Sequence, residues 1–555
     1  MAFKNILLKI KKFIEINHLE YWLVFLFVFL ALTWIMSAPS LLCPDGFYHT
    51  KMAMMIKDQG IIQNFPWTQY TTYNNFFVNQ HFGYHLILIP FLLIPSPANL
   101  DSFGLEIEPL IKTKLAAILL ASLVFLTIYW LLKKWKIRKP FLYILILFLS
   151  NGFLMRISLT RAPATSIIIL FLAIYFISRE KWRPIAIISF VYVWLYGAFP
   201  LLILAVAFYI LGKLFYSILQ SQEKINARFL IKNIFSRPNI IILASVFSGI
   251  ILGLTLNPYF PKTYYFHWFE LTRIAIINYY AKIGVGAEWY PPNPASLLIT
   301  NFPLILIWVV AVAYFAANAK QQSKKSWFLG LLSFFFLLYT LKARRNIEYF
   351  APLALVFSAL VLNKLFQGAD WPEIKNKIKN LFQGKSAAAL FGASLILIGV
   401  IVFGIKNFFD QSFLQIKNEY QKSLNESSPY THLQKAAQWM KDNIPPKEII
   451  YQQRWDTFPF LFYFDTDHYY INGLDQTFMY AFSKDLFEKW QKIIRSEIGA
   501  QEISQIVKND FHSSWFLLEK REFGGSYKPL KLKLDHSPFF IKTYEDEEAA
   551  VYNLR

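Results

Sequence analysis

The sequence predicts a polytopic α-helical membrane protein with a soluble α/β domain at its C-terminal end. Hydrophobic residues make up 55% of the 555 residues and charged residues only 16%, whereas charged residues are about 25% of an ordinary soluble domain. Apolar runs of spanning length, or slightly less, recur between residues 21 and 404. Helices are the expected structure for them, because an open sheet cannot satisfy its backbone in lipid. This composition excludes a purely cytosolic globular protein.

The charge of the chain is divided unevenly. Residues 1–404 carry a net charge of +23 and residues 405–555 a net charge of −2, so the whole basic excess belongs to the apolar part. The basic residues stand in short clusters between apolar runs, which is typical of cytoplasmic loops rather than of a nucleic-acid-binding surface. We therefore expect no nucleic-acid partner, and we expect a multi-pass protein of the plasma membrane with a cytoplasmic N-terminus.

Twelve apolar runs are candidate spans, and the first of them is expected to be a retained anchor. They cover residues 21–37, 84–98, 111–132, 140–155, 163–178, 184–198, 200–217, 239–257, 296–317, 326–341, 346–366 and 386–404. Placing the basic clusters inside puts a first outer loop (38–83), a long outer loop (258–294) and the tail outside. The run 84–98 is short and holds three prolines, so it is either a span or a re-entrant segment. We therefore predict 11–13 transmembrane helices within residues 1–404.

The tail, residues 405–555, predicts a mixed α/β domain on the extracytoplasmic side. Its helical and β-type patterns alternate along the chain. Helical spacing is found at 430–443, 483–496 and 500–509, and β-type runs are found at 447–451 and 460–471. The single cysteine, Cys43, excludes an intramolecular disulfide, so this domain depends on its own core.

Acidic residues close to the membrane are the first candidates for chemistry, because placing them there is costly. Asp45 follows the first apolar run in the segment CPDGFYH, where Pro44 and Gly46 favour a turn at the membrane surface. His49 lies one helical turn further on. From these residues alone, Asp45 is either a functional carboxylate or the cap of a helix over 47–58.

The segment that begins at Asp45 resembles the first outer loop of the GT-C superfamily of membrane glycosyltransferases. That loop opens with an aspartate, continues as a helix and ends in a polar, aromatic stretch, as in DGFYHTKMAMMIKDQGIIQNFPWTQYTTYNNFFVNQHFGYHLIL. It is especially similar to the catalytic subunit of oligosaccharyltransferase, and also to dolichyl-phosphate-mannose-type mannosyltransferases. The resemblance implies a GT-C-like fold and a catalytic or metal-binding role for Asp45. His49, because it lies one helical turn further on, is a second candidate for the catalytic site.

Two further segments carry the resemblance. The segment GVGAEWYP, in the long outer loop, resembles an oligosaccharyltransferase loop in which one Glu precedes a proline, which implies that Glu288 binds the acceptor or a metal. The alternative is a surface Glu beside aromatic residues of the membrane interface. The tail contains Trp455 and Asp456 where oligosaccharyltransferases have a Trp-Trp-Asp-Tyr-Gly motif for the acceptor peptide. Trp455 is equally well explained as a core aromatic.

The sequence is compatible with two possibilities for a cofactor: no cofactor, or a divalent cation such as Mg²⁺ or Mn²⁺. Metal-dependent relatives have an Asp-x-Asp element in a later outer loop, and the corresponding segment here, MRISLTRA, has no acidic residue. Only Asp45 and Glu288 would remain as metal ligands if the protein used one, and a hard cation needs more oxygen ligands.

Four arginines on the predicted outer face suit a lipid-phosphate leaving group. The guanidinium is a planar fork of donors that matches phosphate, and these arginines are Arg156, Arg161, Arg344 and Arg345. The alternative is that they snorkel at helix ends. His81, His85 and Trp289 are candidates for binding the acceptor or the sugar, or else belong to the membrane interface.

The resemblance implies a hexosyltransferase of the cell envelope that moves a sugar, with inversion, from a polyprenyl-phosphate- or polyprenyl-diphosphate-linked donor. The acceptor would be a glycan, a lipid or a protein on the outer face, and membrane lipids would surround the enzyme. Two alternatives stay open. One is an oligosaccharyltransferase that acts on protein Asn, and the other is a non-enzymatic transporter or lipid flippase.

Overall fold

The computed structural model describes most of the chain. The described residues are 18–95, 106–222, 224–368, 429–521 and 527–555, together with 399, 402 and 406. The boundary predicted at 404 and most of the last predicted span, 386–404, therefore lie outside the described residues.

Helices form most of the described part of the chain before residue 369. The first ones are α1 (Leu19–Ile35), α2 (Asp45–Gln59), α3 (Thr72–Asn75), α4 (Phe82–Leu92), α5 (Glu108–Lys134), α6 (Pro140–Phe148), α7 (Asn151–Ile157), α8 (Pro163–Ser178) and α9 (Trp182–Leu195). They are followed by α10 (Leu201–Gln220), α11 (Ala227–Ile234), α12 (Arg237–Thr255), α13 (Lys262–Phe269), α14 (Pro294–Thr300), α15 (Phe302–Ala317), α16 (Lys324–Lys342) and α17 (Ile347–Gly368). A π-helix (Glu270–Ile277) and 3-10 turns at Ala287–Trp289, Ala319–Gln321 and Arg344–Asn346 complete this part.

Several of these helices are long and apolar enough to cross a membrane. Within the described residues they are α5, α10, α12 and a segment over Arg344–Lys364, and two bent pairs bring the number to six if each pair is one span. Shorter apolar helices are α1, α4, α8 and α9. The protein is therefore membrane-embedded, while the number of 11–13 spans stays a prediction.

Two runs that the sequence presents as continuous spans are broken in the structure. Helices α6 and α7 meet at 82°, and α14 and α15 meet at 93°. The two breaks lie together, because Ser150 Oγ donates a hydrogen bond to Asn301 Oδ1 at 2.5 Å. A polar pair at the breaks supplies partners where helical hydrogen bonding is interrupted, which is how membrane proteins tolerate such breaks.

The closest helix packing uses small residues. Gly249 and Gly253 of α12 face α9, and a methyl group added at Gly249 would overlap the carbonyl oxygen of Ala186. Such small residues let two membrane helices approach each other and gain van der Waals contact. The core formed in this way extends through α1, α5, α8 and α17.

The tail contains a five-stranded mixed sheet with helices around it. Its strands are β1 (Ile449–Gln452), β2 (Tyr469–Tyr470), β3 (Trp515–Glu519), β4 (Phe540–Glu545) and β5 (Ala549–Leu554). The order is β2-β1-β3-β5-β4, in which β1 runs parallel to β2 and β3, and β5 runs antiparallel to β3 and β4. Its helices are α18 (Gln434–Asn443), α19 (Phe458–Phe464), α20 (Gln476–Phe482), α21 (Lys484–Ile494), α22 (Ala500–Gln505) and α23 (Tyr527–Asp535), with a 3-10 turn at Trp455–Thr457 and a π-helix at Ile506–Asp510.

The β-type assignment of 460–471 is wrong for most of its length. Residues Phe458–Phe464 form helix α19, which has Pro459 in its first turn, and every residue of this helix is buried. A segment buried on all sides has no polar periodicity that would distinguish a helix from a strand. Only Tyr469 and Tyr470 of the run join the sheet.

The first outer loop and the tail share one core. Tyr470 N donates to Trp67 O at 2.9 Å and Gln69 N donates to Tyr470 O at 2.8 Å, so the loop continues the sheet beyond β2. Phe47 of α2 packs edge-on against Phe460, with ring centroids 4.7 Å apart. The tail therefore helps to fix the helix that begins at Asp45.

Candidate active site

Asp45 stands at the start of α2, and its carboxylate faces the segment that joins α7 to α8. The cap position is occupied by Pro44, which makes no side-chain capping bond, while Asp45 Oδ2 lies 3.2 Å from Arg161 Nε. The helix-cap explanation of Asp45 is therefore wrong. Gly46 allows this approach, since a Cβ there would lie 2.6 Å from Leu41 Cδ1 and 3.1 Å from Thr160 Cβ.

Glu288 lies at the centre of the site and contacts three arginines. Arg161 Nη1 is 3.1 Å from its Oε2, Arg345 Nη1 is 2.9 Å from its Oε1, and Arg156 Nη1 also contacts Oε2. The side chains of Arg156, Arg161 and Arg345 are 12%, 21% and 11% exposed. These three arginines hold carboxylates inside the protein, so the snorkelling explanation is wrong for them.

Glu348 completes the acidic side of the cluster. It is 1% exposed at the first turn of α17, and its Oε2 accepts hydrogen bonds from Arg156 Nε at 2.9 Å and Nη2 at 2.8 Å. The cluster formed by Asp45, Glu288, Glu348 and the three arginines is balanced in formal charge. We refer to these six residues as the arginine–carboxylate cluster.

Arg345 joins this cluster to two aromatic rings. Its Nη2 donates to the Tyr196 hydroxyl at 2.8 Å, and its guanidinium lies 4.2 Å from the centroid of the Trp289 ring. Arg344 is exposed, and its side chain contacts the backbone of the turn that holds Glu288: its Nε donates to Ala287 O at 2.5 Å. Trp289 therefore lies within the site, and Arg344 lies at its edge.

Burial and charge act in opposite directions on the acidic groups. Burial raises the pKa of Asp45 above its ordinary value and outweighs the opposing effect of Arg161. Burial also acts to raise the pKa of Glu288, but the adjacent guanidiniums of Arg156, Arg161 and Arg345 hold that pKa well below its usual range. At neutral pH, Glu288 is thus a fixed anion, and Asp45 is the more basic carboxylate.

The three predicted histidines also come together. His49 Nδ1 lies 2.8 Å from His85 Nε2, and Asn79 Nδ2 lies 3.0 Å from His85 Nδ1. His81 is edge-on to His49, with ring centroids 4.9 Å apart, and it stacks on Tyr196 at 5.5 Å. Because Tyr196 accepts from Arg345, the histidines border the arginine–carboxylate cluster.

The tail contributes Trp455 to the same region, but Asp456 is engaged elsewhere. Trp455 Cη2 lies 3.9 Å from the position that a Cβ of Gly286 would take, and it also packs against the tail core. Asp456 pairs with Arg454 at 2.5 Å and with Arg521 at 3.5 Å within the tail.

The two carboxylates predicted as possible metal ligands do not fit a metal site. Arg161 lies between Asp45 and Glu288 and contacts both. In the ranges that the structure describes, no group of three or more His, Cys, Asp or Glu side chains is arranged to hold a metal ion.

Comparisons with known proteins support the architecture. Neither protein-family models nor curated protein sequences match the chain. Solved structures do: an archaeal oligosaccharyltransferase, AglB from Archaeoglobus fulgidus, in complex with an inhibitory peptide and a dolichol-phosphate, superposes with a TM-score of 0.60 at 12% identity, covering 97% of this chain and 74% of that one. The apo form of the Archaeoglobus fulgidus oligosaccharyltransferase gives 0.57 at 12% identity, with the same coverage.

A third solved structure is ArnT from Cupriavidus metallidurans, bound to undecaprenyl phosphate. It superposes with a TM-score of 0.52 at 12% identity, covering 96% of this chain and 98% of that one. The chain has the GT-C fold. At this level of identity the likeness establishes the fold alone.

Three residues of this site receive no role from the sequence, although Glu348 is one of the few acidic residues on the predicted outer face. Tyr196, Glu348 and Asn79 hold Arg345, Arg156 and His85 respectively. Glu348 carried a usable signal, as an acidic residue just after Arg344 and Arg345 in an apolar segment. Tyr196 and Asn79 carried none, because an aromatic at a helix end and an amide in a loop are common.

Proposed function

We propose that this protein is a membrane glycosyltransferase that transfers a sugar from a polyprenyl-phosphate-linked donor to an acceptor hydroxyl on the extracytoplasmic face. The observation that carries the proposal is the contact between Asp45 and Arg161, which places a raised-pKa carboxylate beside a cluster of guanidiniums. The solved structures of similar fold that contain dolichol-phosphate and undecaprenyl phosphate are consistent with such a donor.

The reaction is a single displacement with inversion. The acceptor oxygen attacks the anomeric carbon, its proton passes to Asp45, and the bond between the anomeric carbon and the phosphate oxygen breaks with its electron pair. The products are the glycosylated acceptor and the polyprenyl phosphate. Asp45 then releases its proton to solvent. A positioned general base of this kind contributes about 10²- to 10⁴-fold to the rate.

The arginines stabilise the charge that develops on the leaving phosphate. Arg156, Arg161 and Arg345 are held in place by Glu288 and Glu348, so they need little reorganisation when the phosphate oxygen gains charge. Arg344 at the edge of the site offers an exposed guanidinium that reaches the lipid phosphate from outside.

The test uses the full chain in nanodiscs with a panel of polyprenyl-phosphate sugars and with hydroxyl acceptors. Release of polyprenyl phosphate by the wild type, and a loss of at least about 10²-fold in Asp45→Asn, is expected. Asp58→Asn is the matched control, since Asp58 lies on the same helix, has a side chain that is 58% exposed and pairs with its neighbour Lys57. Full activity of a folded Asp45→Asn protein would overturn the proposal.

Two further measurements separate the other two functions. A peptide that contains Asn in place of the hydroxyl acceptor tests the oligosaccharyltransferase alternative in the same nanodiscs. Movement of a labelled lipid across the bilayer of sealed vesicles that contain the protein, without bond cleavage, tests the transporter alternative. Neither outcome requires Asp45 to act as a base.

A further inference from the structure

Asn79 has one defined amide orientation. Its Oδ1 accepts the backbone N–H of His81 at 3.2 Å, so its Nδ2 faces His85 Nδ1. Because the amide oxygen accepts from the backbone, the NH₂ group of Asn79 is the part of the amide that faces His85, and Asn79 donates to His85.

This orientation determines which nitrogen of His85 carries the proton. An Nδ1 that accepts from an amide N–H is unprotonated, so the neutral ring carries its proton on Nε2. His85 Nε2 then donates to His49 Nδ1 across 2.8 Å. A doubly protonated His85 would place its Nδ1–H against the amide N–H of Asn79, which this orientation disfavours.

The same reasoning extends to His49. Its Nδ1 accepts a hydrogen bond, so the neutral ring has its proton on Nε2. Burial lowers the pKa of His49 well below its ordinary value, and His81, His85 and Arg161 act in the same direction, so the ring is neutral at pH 7. Within the residues that the structure describes, His49 Nε2 makes no hydrogen bond of its own.

His49 is close to the reacting groups. It lies one helical turn after Asp45 on α2, with its ring edge-on to His81. His81 stacks on Tyr196, which contacts Arg345 of the arginine–carboxylate cluster. His49 therefore lies beside the residues that surround Asp45, and the proton on its Nε2 is left without a partner among the described residues.

We propose that Asn79 and His85 are positioning residues that keep His49 in its Nε2–H form, and that His49 donates this hydrogen bond to a hydroxyl oxygen of the transferred sugar beside Asp45. The inference rests on the proposed function for its ligand, whereas the proton order along Asn79, His85 and His49 is independent of it. A neutral donor suits an uncharged hydroxyl, while the guanidiniums serve the phosphate. The hydrogen-bonded series Asn79, His85 and His49 thus favours a sugar oxygen over an ammonium group next to His49 Nε2.

The first test measures the protons directly. Nitrogen-15 NMR of the full chain in nanodiscs, labelled in histidine, distinguishes protonated from bare ring nitrogens, and the variants His49→Gln and His85→Gln assign the signals. We expect a protonated Nε2 and a bare Nδ1 in both rings at pH 7, while the exposed His512 serves as the unconstrained reference. A protonated Nδ1 in either His49 or His85 would overturn the proton order.

The second test changes the partner that sets the order. In Asn79→Asp, the amide that donates to His85 Nδ1 is replaced by a carboxylate, which can only accept. We therefore expect His85 Nδ1 to become protonated. Asn75→Asp adds the same charge to an exposed position of the same loop and should leave the ring nitrogens unchanged. An unaltered His85 spectrum in folded Asn79→Asp would show that Asn79 has only a structural role.

The third test addresses the ligand. A glutamine at position 49 can place its amide near the position of the imidazole Nε2, whereas an asparagine reaches only the position of Nδ1. We expect kcat/KM for the donor to fall about tenfold in His49→Asn, the value of one neutral hydrogen bond, and less than about threefold in His49→Gln. Equal losses would overturn the contact with the sugar. If no polyprenyl-phosphate sugar reacts at all, the proposed function fails while the NMR result still decides the proton order.

Discussion

Arg161 Nε lies 3.2 Å from Asp45 Oδ2. The same guanidinium contacts Glu288, so one side chain connects the first outer loop to the long outer loop. Burial acts to lower the pKa of Arg161, but the adjacent carboxylates of Glu288 and Asp45 raise that pKa well above its ordinary value, and the side chain stays charged. The relative position of the base and the phosphate-binding groups therefore depends on Arg161.

Replacing Arg161 with lysine should reduce transfer without changing the charge of the site. An ammonium is a point charge that cannot contact both Asp45 and Glu288 in the fork geometry of a guanidinium. We expect kcat/KM to fall about 10²-fold, as after the loss of one preorganised donor. The rate at which Arg161→Lys releases polyprenyl phosphate checks this. Arg183→Lys is the control, since Arg183 packs on Trp182 away from the cluster. An unchanged rate would show that the double contact is dispensable.

Removing the charge of Glu288 should destabilise the fold. Three partly buried guanidiniums would lose their shared partner, and breaking a buried ion pair on one side costs about 3–5 kcal/mol. The expected result for Glu288→Gln is a lower Tm in nanodiscs. Glu497→Gln should leave the Tm unchanged, because Glu497 is 49% exposed and lies 3.8 Å from its partner Arg495. Equal Tm values for the two variants would contradict the central position of Glu288.

Chelation of divalent cations should not slow transfer. The space between Asp45 and Glu288 is bridged by Arg161, so these carboxylates are paired with a side chain instead of a cation. We expect the rate of polyprenyl phosphate release in EDTA to match the rate in Mg²⁺ or Mn²⁺ within about twofold, since the arginines supply the positive charge. A loss of activity in EDTA that added Mn²⁺ restores would contradict this prediction, because Asp45 and Glu288 would then have to leave Arg161 to bind the metal.

The stability of the tail should fall at alkaline pH. His432 contacts Glu519 at 2.9 Å and Glu548 at 3.0 Å. Burial acts to lower the pKa of His432, but these two carboxylates raise it from 6.5 to about 9. A histidine with a raised pKa contributes its full stability below pH 6.5 and loses it as the pH rises through about 9. The shift corresponds to about 3 kcal/mol.

The measurement is the unfolding of the full chain between pH 6 and pH 10. In the wild type, the tail should become less stable between pH 6.5 and pH 9. In His432→Gln, this loss should be absent and stability at pH 6 should already be low. His536→Gln is the control, because His536 is exposed and contacts only a backbone carbonyl through its side chain. A wild-type profile that is flat over this range would argue against the charged pair.

Truncation of Phe47 should affect both stability and catalysis. Phe47 is fully buried two residues after Asp45 and packs against Phe460 of the tail. Phe47→Ala should cost about 3–5 kcal/mol and should lower kcat, because α2 loses its support. Phe235→Ala, at a side chain that is 64% exposed, is the control. Normal kcat in a folded Phe47→Ala protein would show that the tail does not position Asp45.

The sequence singles out most of the residues that the structure brings together around Asp45. Asp45, Glu288 and the arginines were identifiable because charged residues are rare in an apolar chain and each of them needs an explanation. Their pairing was not identifiable. Three arginines and two carboxylates can be combined in several ways, and nothing local to residues 45, 156, 161, 288 or 345 selects among them.

The broken helices were beyond prediction for a related reason. The runs 140–155 and 296–317 are long enough to span. At their breaks, Ser150 and Asn301 form a hydrogen bond although they are 151 residues apart in the chain. The helix Phe458–Phe464 was mistaken for part of a β-type run, since burial on every side removes the polar periodicity that a prediction needs.

The sequence by itself determined that the chain is an apolar, helical membrane protein with a polar α/β tail, because composition and hydropathy act locally and sum along the chain. It also determined which few charged residues could do chemistry. Only the tertiary structure decided that Arg161 bridges Asp45 and Glu288, that the histidines form an ordered chain from Asn79, and that the tail supports α2. These are contacts between distant segments, and a contact is specific only when packing brings both partners to one place.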